Sequence, residues 1–204
     1  MHLLKDIVLA SASPRRRALF AQMGIPVRVI PSDVREDLDG ISPPGENAMR
    51  LALAKAQAVA PGVGDSIVVG ADTIVVLEET ALGKPAGFEE ACRMLRVLSG
   101  RTHTVHTGFA LVDARSGAFL TDVESTRVTF REIPEEEIRE YVAGGSPLDK
   151  AGAYGIQDDY GAVFAVRVEG CFYTVVGFPL AKFYIRLREF QSQLAAREGH
   201  EHAE

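Results

Sequence analysis

Strand-forming and helix-forming segments alternate along the first half of the chain, and that alternation restricts the fold more than any other feature. Residues 6–10 (DIVLA) read as a buried strand and residues 14–23 as a helix closed by Gly24, with Pro26 beyond it. Residues 27–30 form a short strand, followed by the acidic loop SDVREDLDG. A second helix is expected from about 46 to 60, entered through Ser42-Pro43-Pro44 and stopped by Pro61-Gly62. The segment SIVVGADTIVVLEE reads as two β-branched runs hinged at Gly70-Ala71-Asp72, and 88–98 as an amphipathic helix capped by Gly100. Long strands at 101–113 and 119–130 are joined by an Arg-Ser-Gly turn. A helix at 134–143, a glycine-rich loop at 144–161, a hairpin at 162–176 and a last helix from Leu180 complete the set. Alternation first and antiparallel hairpins later predict an α/β fold with a mixed, central β-sheet flanked by helices. With no repeat and no low-complexity linker, one domain over 1–190 is expected, with a polar, disordered tail at 191–204.

The chain has 204 residues, enough to bury a sizeable core. No apolar run approaches the length of a membrane span, and the N-terminal MHLLKDIVLA reads as a first strand rather than a signal peptide. A net charge of -6 argues against a nucleic-acid coat or an anionic membrane surface, so any polyanion must be held by a local basic cluster. Cys92 and Cys171 lie far apart without metal-ligand spacing, and buried, reduced thiols of a cytosolic protein are the expectation.

The strongest local cluster is SASPRRR, residues 11–17. Ser13-Pro14 is an efficient helix opening, because serine accepts from free backbone N–H groups and proline suits the first helical position. Three arginines at that end are a conflict, since the helix N-terminus is already positive and each cation there costs roughly 0.3–1 kcal/mol. An anion bound by amides, hydroxyls and guanidiniums together relieves it, so a phosphate-binding loop is the better reading. Arg17 is left as surface charge.

Asp72 is expected at a strand end beside Gly70, with Thr73 next to it and Gly83-Lys84-Pro85 a short loop away. A carboxylate near a loop lysine is what metal-assisted phosphate chemistry requires. Lys55 shares the i, i+4, i+8 line of its helix with Leu51 and Val59, so it either snorkels or points into a polar cleft. His103 and His106, three apart on a strand, face opposite sides, and a shared zinc is not expected. Glu135-Glu136-Glu137 is the acidic first turn of a helix. The loop GGSPLDKAGAYGIQDDYG combines five glycines with Lys150 and the amide of Gln157, so backbone can approach a ligand and an amide can read a base edge.

Taken together, the chain resembles the Maf-type nucleoside triphosphate pyrophosphatases over residues 5 to 190. The matching motifs are SASPRR (11–16), ENAMRLALAKA, GADTIV (70–75), GKP (83–85), LSGRTHTVHTG (98–108), DKAGAYGIQ (149–157) and VVGFP (175–179). The resemblance implies cleavage of a nucleoside triphosphate to the monophosphate and pyrophosphate with a divalent cation, Mg or Mn. It also implies an α/β fold related to the inosine-triphosphate pyrophosphatases, with two lobes and a cleft, often as a cytoplasmic homodimer. DKAGAYGIQ, with Gln157, is similar to the branch acting on dTTP, UTP and modified pyrimidine nucleotides rather than the 7-methyl-GTP branch. By position, Asp72, Glu36 and Lys84 match catalytic residues, and Asp72 and Glu36 the cation ligands. Ser11, Ser13, Arg15, Arg16, Lys55, Thr73 and Gln157 match substrate-binding positions, and of these the resemblance links Arg15, Thr73 and Gln157 to substrate choice. Phe178 departs from the usual leucine, and Asp158-Asp159 from the usual glycine, which adds negative charge beside Gln157. The rival readings are a pyrophosphatase for 7-methyl-GTP or other non-canonical nucleotides, and a nucleotide- or nucleic-acid-binding regulator of septum formation.

Overall fold

The apolar run after Lys5 folds into a four-residue strand, β1 (Asp6–Leu9), which leads through the N-cap Ser13 into helix α1 (Pro14–Gln22). The computed structural model describes residues 3–37, 42–157 and 159–201. Strand β2 (Val27–Val29) returns parallel to β1, the pairing that a strand–helix–strand crossover allows. Helix α2 (Pro44–Val59) then passes into a 3-10 turn at Ala60–Gly62, where Pro61 cannot continue the α-helical ladder.

The next strand corrects the expected hinge. Strand β3 (Ser66–Leu77) is one unbroken strand of 12 residues, and Gly70-Ala71-Asp72 lies in its middle. Each of these residues pairs with the antiparallel strand β5 (Thr102–Asp113), Gly70 with Ala110 and Asp72 with Gly108, so nothing releases the backbone to turn. The glycines serve packing instead. A Cβ at Gly70 would overlap the carbonyl of Ala52, and one at Gly108 would overlap the backbone of Ala48 and Met49, so both let α2 lie directly on the sheet.

Strand β4 (Thr80–Leu82) pairs with the end of β3, and helix α3 (Phe88–Leu98) leads to β5. Strand β6 (Phe119–Phe130) runs antiparallel to β5 and precedes helix α4 (Glu135–Ala143), whose first turn holds Glu135, Glu136 and Glu137. The glycine-rich segment folds into 3-10 turns at Ser146–Asp149 and Ala151–Ala153 and the short helix α5 (Asp159–Phe164). The expected hairpin at 162–176 does not form. Strand β7 (Ala165–Glu169) pairs with β6, but the chain then enters helix α6 (Phe172–Val176). Thr126 Oγ1 accepts from the Cys171 amide at 3.0 Å and donates to the Cys171 carbonyl at 2.9 Å, and this double pin directs the β-branched FYTVV run into a helical turn.

Together these strands form a seven-stranded mixed sheet in the order β2-β1-β3-β5-β6-β7, with β4 on the end of β3. The alternation of side chains sorts the sheet into two faces. Val8, Val68, Ala110 and Val112 meet the small residues Ala52 and Ala56 of α2 on one face. On the other lies the larger core, where Phe183 of helix α7 (Leu180–Glu201) and Phe178 just before that helix meet each other and the rings of Phe20 of α1 and Phe109 of β5. Helix α7 continues past Gln191, where the polar composition predicts a disordered tail. The Gln191 side chain accepts from the Leu4 amide at 2.8 Å and Leu194 is buried, so packing holds the helix past that point, and Ala195-Ala196-Arg197 favour its continuation to Glu201. Residues 202–204 lie outside the described residues. Among the described residues no helix is long and apolar enough to cross a membrane.

Candidate active site

Strand β1 pairs with β3 only as far as Val69, and β4 rejoins β3 only at Val75. Between them the edge of β3 is open, just beyond the carboxyl end of β1, where the SASPRR loop departs. Crevices at such strand ends are where open α/β sheets bind ligands. The strand end that matters is therefore that of β1. Asp72, expected at a strand end, stands mid-strand and reaches the crevice because its neighbour strand is short. A cavity of about 290 Å³ opens here, and the ten residues that the family resemblance marks as catalytic or substrate-binding positions line it.

Asp72 points to the α2 face of the sheet and meets Lys55. This lysine is 5% exposed and does not snorkel: its Nζ donates to Asp72 Oδ1 at 2.5 Å and to Glu36 Oε1 at 2.6 Å. Lys84 Nζ donates to Glu36 Oε2 at 2.6 Å, so Glu36 bridges two ammonium groups. Burial alone would raise the Glu36 carboxyl, but the hydrogen bonds from Lys55 and Lys84 outweigh it and hold the group at about 2. Asp72 Oδ2 has no partner among the described residues, which leaves one carboxylate oxygen facing the cavity.

Thr73, the next residue, points to the opposite face. Its Oγ1 accepts from Arg16 Nη2 at 3.1 Å. Arg16 also donates from Nε to the Gly177 carbonyl at 2.9 Å and from Nη1 to Ser11 Oγ at 3.2 Å. Arg16 is thus a brace between α1, β3 and the end of α6, a role its sequence position did not reveal. Ser13 Oγ caps α1 through the Arg16 amide at 3.4 Å, and Ser11 Oγ accepts from the Ser13 amide at 3.2 Å. Arg15 lines the cavity with no hydrogen-bond partner among the described residues, while Arg17 is exposed. Five cationic side chains (Arg15, Arg16, Lys55, Lys84 and Lys150) and three anionic ones (Glu36, Asp72 and Asp149) line the cavity. A chain of net charge -6 therefore carries a locally cationic cleft, suited to a polyanion.

The opposite wall is the segment from Asp149 to Gln157. Gln157 is exposed and lines the cleft. Lys150 also lines the cleft, but its ammonium bonds the Ser146 carbonyl and, at 2.8 Å, Asp149 Oδ1, so it organises its own loop. Tyr154 was not singled out by sequence reasoning, although it sits in the same DKAGAYGIQ motif. Its hydroxyl meets His103 Nε2 at 2.7 Å, and burial pushes His103 down to about 4. His106 lies on the α2 side of β5, with Nδ1 at 2.8 Å from Ser125 Oγ, so the two histidines are separated by the sheet. Asp158 and the side chain of Asp159, the departures noted beside Gln157, lie outside the described residues.

The donor set also bears on a cation. Among the described residues no group of three or more His, Cys, Asp and Glu side chains could enclose a metal. Asp72 and Glu36 are hard oxygen donors joined through Lys55, and Asp72 Oδ2 is free. Such a pair fits a Mg²⁺- or Mn²⁺-type ion that arrives with phosphate and keeps some of its water, and does not make an all-protein cage.

The family profile described as Maf-like protein matches residues 6–190. A dTTP/UTP pyrophosphatase of Moorella thermoacetica is 50% identical over 179 residues, covering 88% of this chain and 92% of the relative. Relatives of the same name from Bacillus cereus (strain G9842) and Bacillus anthracis are each 46% identical over 187 residues, covering 92% of this chain and 96% of the relative.

Proposed function

The chain belongs to the Maf-like protein family, and from that membership we propose that it is a nucleoside triphosphate pyrophosphatase hydrolysing dTTP, UTP and modified pyrimidine nucleotides to the monophosphate and pyrophosphate. The observation that carries this reading is a juxtaposition: the Asp72–Lys55–Glu36–Lys84 array faces the start of α1, with Ser11, Ser13 and Arg15, across one cleft.

In the proposed reaction a water attacks the α-phosphorus, the bond from that phosphorus to the α,β-bridging oxygen breaks, and pyrophosphate leaves. Asp72 orients the water and takes its proton at Oδ2, because Oδ1 is already committed to Lys55. Arg15, Lys84 and Lys55 neutralise the triphosphate, which is the stabilisation that phosphoryl transfer chiefly needs. Glu36 keeps both lysines in place and stays ionised throughout the neutral range. Asp72 and Glu36 would hold a divalent cation, Mg²⁺ or Mn²⁺, which when bound would supply further charge neutralisation on the phosphates. Gln157 presents both an amide donor and an acceptor, which match the edge of uracil or thymine.

The cytoplasm is the compartment that fits this substrate and the free thiols of Cys92 and Cys171, and a homodimer is the assembly the family resemblance implies. Pyrophosphate release from a panel of nucleoside triphosphates with Mg²⁺ tests the reading. Release from dTTP and UTP well above that from purine nucleotides is expected. A preference for 7-methyl-GTP moves the chain to the other branch, and nucleotide or DNA binding without any pyrophosphate release makes it a regulator.

A further inference from the structure

Thr73 and Thr107 are partners across β3 and β5, on the face of the sheet that holds Arg16. Thr107 is fully buried and does not line the cleft, whereas Thr73 does. Their hydroxyl oxygens are 2.9 Å apart, and geometry alone leaves the donor open. The surrounding groups decide it. Thr107 Oγ1 lies 2.8 Å from the carbonyl of Thr174, which can only accept, so the single Thr107 proton is spent there. Thr107 must then accept from Thr73, which spends the Thr73 proton inward. Arg16 Nη2 has no lone pair and can only donate, so it occupies one acceptor site on Thr73 Oγ1. What remains of Thr73 toward the cleft is one acceptor lone pair and no proton.

We propose that Thr107, without touching substrate, sets the polarity of Thr73, so that Thr73 reads a hydrogen-bond donor on the nucleotide and rejects an acceptor placed there. The inference rests on the pyrimidine triphosphate reading above. Two donors of a uracil or thymine nucleotide offer this chemistry, the imide N3–H of the base and the 3′-hydroxyl of the sugar. The 2′-hydroxyl is excluded by its absence from dTTP. Cytosine carries an acceptor at N3 and would meet the Thr73 lone pair with repulsion. The Thr174 carbonyl also accepts from the Gly177 amide at 3.1 Å, but reversing the relay would leave Thr107 Oγ1 and that carbonyl 2.8 Å apart with only lone pairs between them, and this repulsion fixes the direction.

The test compares kcat/KM for UTP, CTP and 3′-deoxy-UTP in the wild type, Thr107→Val and Thr107→Ser. The wild type is expected to lose about tenfold or more on whichever substrate lacks the donor, CTP for base reading or 3′-deoxy-UTP for sugar reading. Thr107→Val cannot accept, which frees the Thr73 proton to turn to the cleft, and the same penalty is expected to shrink to within about threefold. Thr107→Ser restores the relay and keeps the wild-type ratio, a pattern that a purely structural threonine would not produce. Unchanged ratios in Thr107→Val overturn the proposal. So does a wild type that favours CTP or that ignores both changes, a result that needs no variant to fold. Failure of the wild type to release pyrophosphate from UTP sinks the proposed function itself, whereas cleaved UTP with unmoved ratios sinks only the polarity of Thr73.

Discussion

His103 is walled in by Phe130 and Tyr154, whose rings meet it edge-on, and it is 2% exposed. Burial lowers its proton affinity from the ordinary 6.5 to about 4, so it is neutral at neutral pH, buried behind Tyr154 of the cleft. As pH falls from 6.5 toward 4, the unfolded chain takes up a proton that the folded chain refuses. Stability therefore declines across that window, by about 3 kcal/mol from this group, and its contribution levels off below 4. Urea unfolding at a series of pH values is expected to show the decline, and His103→Gln, which still reaches Tyr154, is expected to flatten it. An identical slope in the variant contradicts the assignment. At this scale the sequence was readable wherever a period applied. The strand period separated His103 from His106, and the helix spacing put Lys55 on the line of Leu51 and Val59 while leaving open whether it snorkels or enters a cleft. It could not say that Lys55 ends between Asp72 and Glu36, nor that Arg16 is spent on Gly177 and Thr73 as well as the nearby Ser11, because all of these partners but Ser11 are distant in the chain.

Among the elements, α2 decides the geometry of the site, since Lys55 reaches Asp72 only because the helix backbone rests on Gly70 and Gly108. Gly70→Ala places a methyl group against the Ala52 carbonyl, less than one helical turn from Lys55. It is expected to cost roughly 1–3 kcal/mol of stability by overpacking. Activity is expected to fall further than that loss explains, because Lys55 is lifted off Asp72. Gly64→Ala, with open space around it, is expected to change stability by less than about 0.5 kcal/mol and leave activity alone. Thermal melts and pyrophosphate release on the two variants check this, and equal behaviour of both would refute the close approach. Gly70 also explains why one strand was read as two. A glycine inside a β-branched run signals either a bend or a close neighbour, and only the position of α2 distinguishes them. The FYTVV run misled for a related reason, since the Thr126–Cys171 pin lies 45 residues apart in the chain and overrides local β propensity.

On the scale of the whole molecule, the fold brings separated segments to one crevice, among them the turn after β1, the Glu36 loop, Lys55 of α2, the middle of β3 with Lys84 beyond it, and the Asp149–Gln157 wall. The motifs themselves were legible along the chain, and so was the α/β class. The reason they converge was not, because it depends on β1 being short enough to leave the edge of β3 open. The net negative surface and the cationic cleft follow from the same arrangement and favour a compact polyanion over nucleic acid. The central claim is that Asp72 activates the attacking water while the cations of the cleft hold the triphosphate. Its most direct test is Asp72→Asn, with single-turnover release of pyrophosphate from UTP measured beside equilibrium binding of a non-hydrolysable UTP analogue. The account predicts a loss of about 10²–10⁴-fold or more in rate with binding retained; turnover near the wild-type rate in Asp72→Asn would contradict it.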